Sequence, residues 1–515
     1  MNRSPGAALQ NGARNHLFLI GAAVALAAVT GVAAIAAPGD EAGSATAASR
    51  KPVERSTLVC PQPSTSDVAE TEYSGFTPKG AGSSGGKGAA GLYPAQRAEQ
   101  DGKKDKESGT AKNDGKPVVP LQKPGTPVSS TVDSSGAPAL FGSADGQFAP
   151  GWSVQQTTTV SAGAGRGLQG SSCSSPDTDF WFPAVGTAGS RQDYVHLTNP
   201  DSTSAVVDLD LYGSHGRATS ESGEGINVPP HSSVPVLLST LTTEPVDSAT
   251  LHVLARNGRV GAQVQSSDKK AGGDWVHSAA DPAPSAVLPG IPKDATSVRL
   301  TVLARGENDA DLKVRLAGKN GQISPAGYET LHVKGGMTSS VKLRDLTKGE
   351  AGSLVLSPTG DEDGATPVVA GAQVTRGKGS SQETAFIPST APVDKRATAA
   401  GNTAKGSALS LTAPQKAAKV RVTSSAGSEG GSPASKTYTV AAGTTQSFAP
   451  PAPQGGKGTF AVTVERLSGG PLYSSRMLEK KVEGVQGFTV QPLPDDRGMV
   501  PVPQSGQDLS VLTED

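Results

Sequence analysis

The stretch Gly261-Ala262-Gln263-Val264 returns unchanged as Gly371-Ala372-Gln373-Val374, 371 − 261 = 110 positions later. Upstream of it, Val195-His196-Leu197-Thr198 recurs as Val298-Arg299-Leu300-Thr301 and again as Val420-Arg421-Val422-Thr423, so three copies open on one kind of strand. Alternating runs follow, Val207 to Leu211 in the first copy and Leu312 to Leu316 in the second. Each runs into a glycine-bounded turn, Gly213-Ser214-His215-Gly216 or Gly318-Lys319-Asn320-Gly321. An aromatic residue closes each copy: Trp275, Phe386 and Phe488, with Ser475-Arg476-Met477 read as a worn version of Ala262-Gln263-Val264. A period of about 100 to 120 residues is too long for a solenoid repeat and has the size of a whole domain.

Within a strand, residues i and i+2 share a face. Ala262 with Val264 and Ala372 with Val374 are therefore expected to face equivalent cores, and Gln263 and Gln373 to face solvent. His196 and His252 take alternate positions on predicted strands and are likewise expected outside. The clearest hairpin signal is Asn257-Gly258 between the runs ending at Arg256 and starting at Arg259, because both turn residues accept positive φ. With 64 glycines, 39 prolines and no helical period after Ala37, the pattern predicts an all-β chain of tandem β-sandwiches. They are immunoglobulin-like in architecture but lack the disulfide and tryptophan arrangement of true immunoglobulin domains. Three repeats are expected at 191–292, 293–392 and 417–494, with a linker at 393–416 and a tail at 495–515.

The N-terminal third reads differently. Leu17 to Ala37 is uncharged and as a helix would be about 31 Å long, enough to cross a bilayer core. Arg3 and Arg14 precede it while Asp40 and Glu41 follow, which places residues 1–16 in the cytoplasm and the bulk outside. The run is either a retained transmembrane helix or, with Ala34-Ile35-Ala36 as a small-x-small site, a cleaved signal that leaves a secreted form. A spacer (38–56) leads to a short strand (57–63). Residues 64–147, rich in Gly, Ser, Ala, Lys, Asp and Pro, are predicted to be a disordered insert. The N-terminal unit then resumes at 148–190. Cys60 and Cys173 flank the insert and fit an exported chain with one disulfide, two free thiols being the alternative.

Chemistry is scarce. The 46 basic and 47 acidic residues nearly cancel, which removes the electrostatic case for nucleic acid. Gly165-Arg166-Gly167-Leu168-Gln169-Gly170 has the letters of a dinucleotide loop, but no helix follows, so it reads as a turn. Asp361-Glu362-Asp363-Gly364 lacks the spacing of a calcium-binding hand, the histidines are scattered, and no G-x-S-x-G elbow occurs. No catalytic residue, metal ligand or cofactor is predicted. Trp152, Trp181, Phe182 and Trp275 are either core plugs or a sugar-stacking face.

Arg55-x-x-Leu58-Val59-Cys60-Pro61, Gly151-Trp152, Cys173 to Phe182-Pro183, Leu197-Thr198-Asn199-Pro200, Leu211-Tyr212-Gly213 and Gly258-Arg259-Val260-x-Ala262 carry a family resemblance. Over about residues 50 to 495 the chain resembles a family of exported proteins of high-GC actinobacteria to which no activity is assigned. The resemblance implies export and β architecture and supplies no site residues. The expectation is a non-enzymatic envelope protein, held at the membrane by its N-terminal segment or secreted, that binds another envelope protein or a glycan. The rival is an enzyme or enzyme accessory acting on cell-wall polysaccharide.

Overall fold

The computed structural model describes residues 49–80, 88–98, 116–133, 135–189, 191–218 and 221–502. The segment read as a membrane helix or signal, most of the spacer and the last residues of the tail lie outside them. Among the described residues no helix is long and apolar enough to cross a membrane. The chain divides into two compact units. The smaller joins Met1–Lys51 to Pro501–Asp515, and its described residues belong to a two-stranded ribbon of β1 (Ser49–Pro52) and β36 (Met499–Val502).

The larger unit, Pro52–Val500, is built of β-sandwiches of one connectivity. The first contains β2 (Arg55–Cys60), β3 (Ala69–Phe76), β4 (Ala90–Pro94), β5 (Gln96–Arg97), β6 (Val128–Val132), β7 (Leu140–Asp145), β8 (Ser153–Val160) and β9 (Gly167–Ser172). The second contains β10 (Asp179–Val185), β11 (Arg191–Thr198), β12 (Ala205–Gly213), β13 (Gly216–Arg217), β14 (Ile226–Val228), β15 (Ser232–Leu237), β16 (Ala249–Asn257), β17 (Gly261–Asp268) and β18 (Gly272–Val276). The third contains β19 (Ala286–Ile291), β20 (Ser297–Ala304), β21 (Ala310–Gly318), β22 (Gly321–Ile323), β23 (Thr330–Val333), β24 (Thr338–Leu343), β25 (Gly352–Pro358), β26 (Val368–Arg376) and β27 (Glu383–Pro388). The fourth contains β28 (Arg396–Asn402), β29 (Ser407–Ala413), β30 (Ala418–Gly427), β31 (Ala434–Val440), β32 (Thr444–Phe448), β33 (Phe460–Gly469), β34 (Tyr473–Val482) and β35 (Val485–Pro492).

With the principal strands of each sandwich lettered A to G, one sheet is always A-E-C and the other D-B-F-G. In order, these are β2-β7-β4 with β6-β3-β8-β9, β10-β16-β12 with β15-β11-β17-β18, β19-β25-β21 with β24-β20-β26-β27, and β28-β33-β30 with β32-β29-β34-β35. This is not the immunoglobulin order, in which A, B, E and D share one sheet. Among the described residues the repeat occurs four times rather than three, because the N-terminal unit is itself a full copy. Part of the stretch expected to be a disordered insert supplies four of its strands, β3, β4, β6 and β7, and also β5, which joins a sheet of the second sandwich. Its composition is poor, yet Tyr73, Leu92, Val119 and Leu140 reach a common core. The Cys60–Cys173 disulfide ties the end of strand A to the residue after strand G. Bonds of this kind persist in oxidising compartments.

The sandwiches close into a ring. Strand β9 touches β18, β18 touches β27, β27 touches β35, and β35 returns to β9, so the four G strands surround one axis. Strand A of each sandwich packs on strand F of the next: β2 on β17, β10 on β26, β19 on β34, and β28 back on β8. This explains the glycines of the echo. A Cβ at Gly261 would lie 2.6 Å from Val59 Cγ1 of β2, and one at Gly371 would lie 2.7 Å from Pro183 Cγ of β10.

The closing aromatics of the third and fourth copies also cross between sandwiches. Phe386 of β27 completes the core of the second sandwich, and Phe488 of β35 that of the third. Each lies under a guanidinium, Arg191 at 5.1 Å and Arg376 at 4.8 Å.

Several local expectations change. Asn257-Gly258 is no hairpin turn: β16 and β17 belong to opposite sheets, since β16 is already flanked by β10 and β12. Gly258 uses its φ of 72° to cross between them. In the fourth sandwich strand B is β29, not the run at Val420, which is strand C. Opposite Leu409 lies Arg476, as Val264 lies opposite Val195, so the worn echo is Ser474-Ser475-Arg476, one residue earlier than read. Ala262, Val264, Ala372 and Val374 do face the cores. Gln263, however, is buried against the first sandwich, where it accepts from Ser171 Oγ at 2.5 Å and donates to the Ser172 carbonyl at 2.7 Å. The face assigned to solvent is the seam between neighbours. His196 and His252 are buried for the same reason.

Candidate binding groove and axial polar core

The four aromatic residues proposed as a sugar-stacking face do not form one. Trp152 and Phe182 belong to the cores of the first and second sandwiches, Trp181 lies in the seam with the third, and Trp275 is fully buried beside His196. All four are 5% exposed or less, which leaves no aromatic platform for a ligand. Trp181 stacks on His252 at 3.8 Å. The Asp361-Glu362-Asp363-Gly364 turn lies in an exposed connection after β25, and among the described residues no acidic or histidine cluster is placed to hold a metal ion.

Two places gather polar chemistry. The first is the axis. Arg166, within the glycine-rich turn before β9, donates from Nη2 to the carbonyls of Lys270, Ser380 and Gln382 at 3.0 to 3.1 Å. It thereby ties the F–G turns of the first three sandwiches together. Beneath it lie Glu383, 2% exposed, and Asp274, 0% exposed, whose Oδ1 accepts the Gly170 N–H at 3.0 Å. Burial raises the Glu383 carboxyl to about 7, the Arg166 charge opposing it only in part. Burial also holds Asp274 well above the carboxylate range, against the pull of backbone donors at Gly170 and Trp275.

His196 and His277 are pushed the other way, to about 4, again chiefly by burial. Arg476, 0% exposed, has no carboxylate against it in its hydrogen-bonding shell. It donates to Gln491, to the Ala400 carbonyl and to Gln155, and burial lowers it to about 9. The axis is closely packed: a side chain at Gly170 would lie 2.5 Å from Thr489 Cγ2, and one at Gly167 would collide with Glu383. These ionisable groups are held inside the ring.

The second place is a groove of about 840 Å³ between the third and fourth sandwiches. One wall is the loop after β19, with Lys293 and Asp294, and the end of β26 with Arg376; the other is β32 and β34, with Phe448, Met477 and Glu479. Thr445, which lines the groove, belongs to a triad of buried hydroxyls with Ser353 and Thr412, hydrogen-bonded to one another at 2.7 to 3.1 Å. Arg376 donates to Asp294 and to Glu479, both at 2.6 Å. Burial works against its charge, but these two carboxylates more than offset it.

Phe448 stacks on Tyr438 at 4.1 Å, and Lys436 Nζ stands 5.2 Å over the Tyr438 ring. Tyr438 and Phe448 both line the groove and pack against the core of the fourth sandwich. Volume, mixed polarity and position between two packed units are those of a ligand site. None of the groove residues stood out in the sequence as a site. The only available signal was the repeat itself, which marks the third and fourth copies as neighbours.

The family model described as a family of unknown function (DUF5719) matches residues 128–451, more than half of the chain. The match runs from β6 to just beyond β32, so it takes in both walls of the groove apart from Met477 and Glu479. No curated protein matches the chain.

Proposed function

We propose that this chain, which belongs to DUF5719, is an exported envelope protein that binds a partner in the groove between its third and fourth sandwiches and catalyses no reaction there. The observation that carries this reading is the Arg376 clamp. Asp294 and Glu479 both line the groove, and both are held by one guanidinium. Two carboxylates held by one guanidinium give the groove a fixed polar edge of the kind that orients a bound partner. Export rests on the Cys60–Cys173 bridge and on the apolar run from Leu17 to Ala37 with its flanking charges.

Cell fractionation tests the reading, combined with thiol labelling before and after reduction. The expected result is protein outside the cytoplasm whose cysteines label only after reductant. Isolated envelope material should retain the wild type and release the Phe448→Ala variant. Reduced cysteines in a cytoplasmic protein, or equal retention of both forms, would contradict it.

A further inference from the structure

An internal precedent shows what a seam of this ring accepts. In every sandwich strand D is the outermost strand of its sheet's D-B-F-G row. In the second sandwich that edge is not left bare. Strand β5, an extended piece of the first sandwich, pairs with β15 in parallel, Gln96 beside Ser232 and Arg97 beside Ser233. The Gln96 N–H donates to the His231 carbonyl at 3.0 Å and the Ala98 N–H to the Ser233 carbonyl at 2.9 Å. Ala98 is 1% exposed and completes the core of the second sandwich. The seam between first and second sandwiches is thus sealed by a short extended segment that adds a strand and inserts one small side chain.

The fourth sandwich has the same edge without the segment. Strand β32 takes the position of β15, and among the described residues its only ladder partner is β29. Thr445, Gln446, Ser447 and Phe448 of this strand line the groove. We propose that the groove's partner is an extended polypeptide segment that pairs its backbone with the edge of β32, as residues 96 to 98 pair with β15, and lays an apolar side chain against Phe448, which lines the groove. The inference rests on the groove reading above. An exposed edge offers a row of unpaired N–H and C=O groups that favours a strand over other ligands. The lining charges, Lys293, Lys319 and Arg376 against Asp294, Glu350 and Glu479, balance. They therefore select no strongly charged partner, and backbone pairing supplies the main recognition.

The experiment pans a phage-displayed library of random twelve-residue peptides on the purified full-length chain, then measures synthetic peptides by calorimetry and hydrogen exchange. The expected peptides bind one to one, protect the amides of β32, and lose at least tenfold in affinity on Phe448→Ala or Ala408→Arg. N-methylation at every second peptide residue should abolish binding, whereas methylation of the intervening amides should leave it unchanged. That scan leaves the protein unaltered, so its readout does not depend on how well a variant folds. Peptides whose affinity ignores N-methylation, or that protect other strands, overturn strand addition. If solubilised cell-wall polysaccharide binds in a Phe448-dependent way and no peptide does, the groove reading stands and this inference fails. If neither binds in a groove-dependent way, both fail.

Discussion

Ala184 has a φ of 72°, in the left-handed region, at the bulge of β10 between Pro183 and Val185. The corresponding bulges of β19 and β28 carry Gly290 at 93° and Gly401 at 69°. A left-handed conformation costs a residue with a Cβ about 1 to 2 kcal/mol, and glycine's extra chain entropy returns about 0.5 to 1 of that. Ala184→Gly should therefore stabilise by about 0.5 kcal/mol in chemical denaturation, while Gly290→Ala, whose Cβ would collide with Ser475, should destabilise by at least about 1 kcal/mol. A gain for Gly290→Ala would show that the bulges are not equivalent. Glu383 sets a pH dependence. Its folded value of about 7 stands above the ordinary value of 4.5, so its contribution is full below about 4.5 and is lost as pH rises through about 7. His196 and His277, depressed from 6.5 to about 4, contribute fully above 6.5 and lose that contribution as pH falls through about 4. Above pH 6.5, where the histidine contributions are complete, melting temperature should thus fall toward pH 8 in the wild type and fall less in Glu383→Gln. An unchanged slope would place the titrating group elsewhere.

Strands, and the faces they bury, were largely legible from alternation. Val195, Leu197, Ala262 and Val264 face one core, and Val298, Leu300, Ala372 and Val374 another, as periodicity of two requires. What alternation cannot convey is whether the opposite face meets water or a second sheet. Gln263 and His196 were misread for that reason, since a polar residue satisfied across a seam looks in sequence like one facing solvent. The pairing of β16 with β12 rather than with β17 was equally hidden, because Asn257-Gly258 serves a sheet crossing as well as a hairpin. The groove escaped notice because its residues come from strands far apart in the chain. Two element-scale outcomes follow. Phe386→Ala should cost about 3 to 5 kcal/mol and, because Phe386 belongs to β27 but fills the core of the second sandwich, hydrogen exchange should rise in both the second and third sandwiches. A rise confined to the third would contradict the dovetailing. Replacing Cys60 and Cys173 with Ala opens a loop closed across 113 positions and should lower stability by up to about 4 to 5 kcal/mol. A loss below about 1 kcal/mol would mean that the reduced chain is already confined.

At the scale of the larger unit, the ring makes each sandwich a neighbour of two others and explains why a chain with only 4% aromatic residues builds an extensive interior. Surface that a separate sandwich would expose is covered by the next copy, and three of the large buried side chains, Trp275, Phe386 and Phe488, stand on the G strands around the axis. Closure depends on the first and fourth sandwiches touching although they are far apart in sequence. Ser153 Oγ donates to the Thr398 carbonyl at 3.2 Å, Lys480 Nζ donates to Thr159, and Ser129 Oγ lies 2.8 Å from Thr459 Oγ1 across 330 positions. Four sandwiches strung as beads would make none of these contacts. The direct test is the double variant Ser129→Cys and Thr459→Cys in the full-length chain, oxidised at high dilution, with the digested protein mapped by mass spectrometry. The ring predicts rapid, near-complete formation of an intramolecular 129–459 disulfide in monomeric protein, with little change in its melting curve; thiols that stay reduced, or cross-link only between molecules, would contradict it.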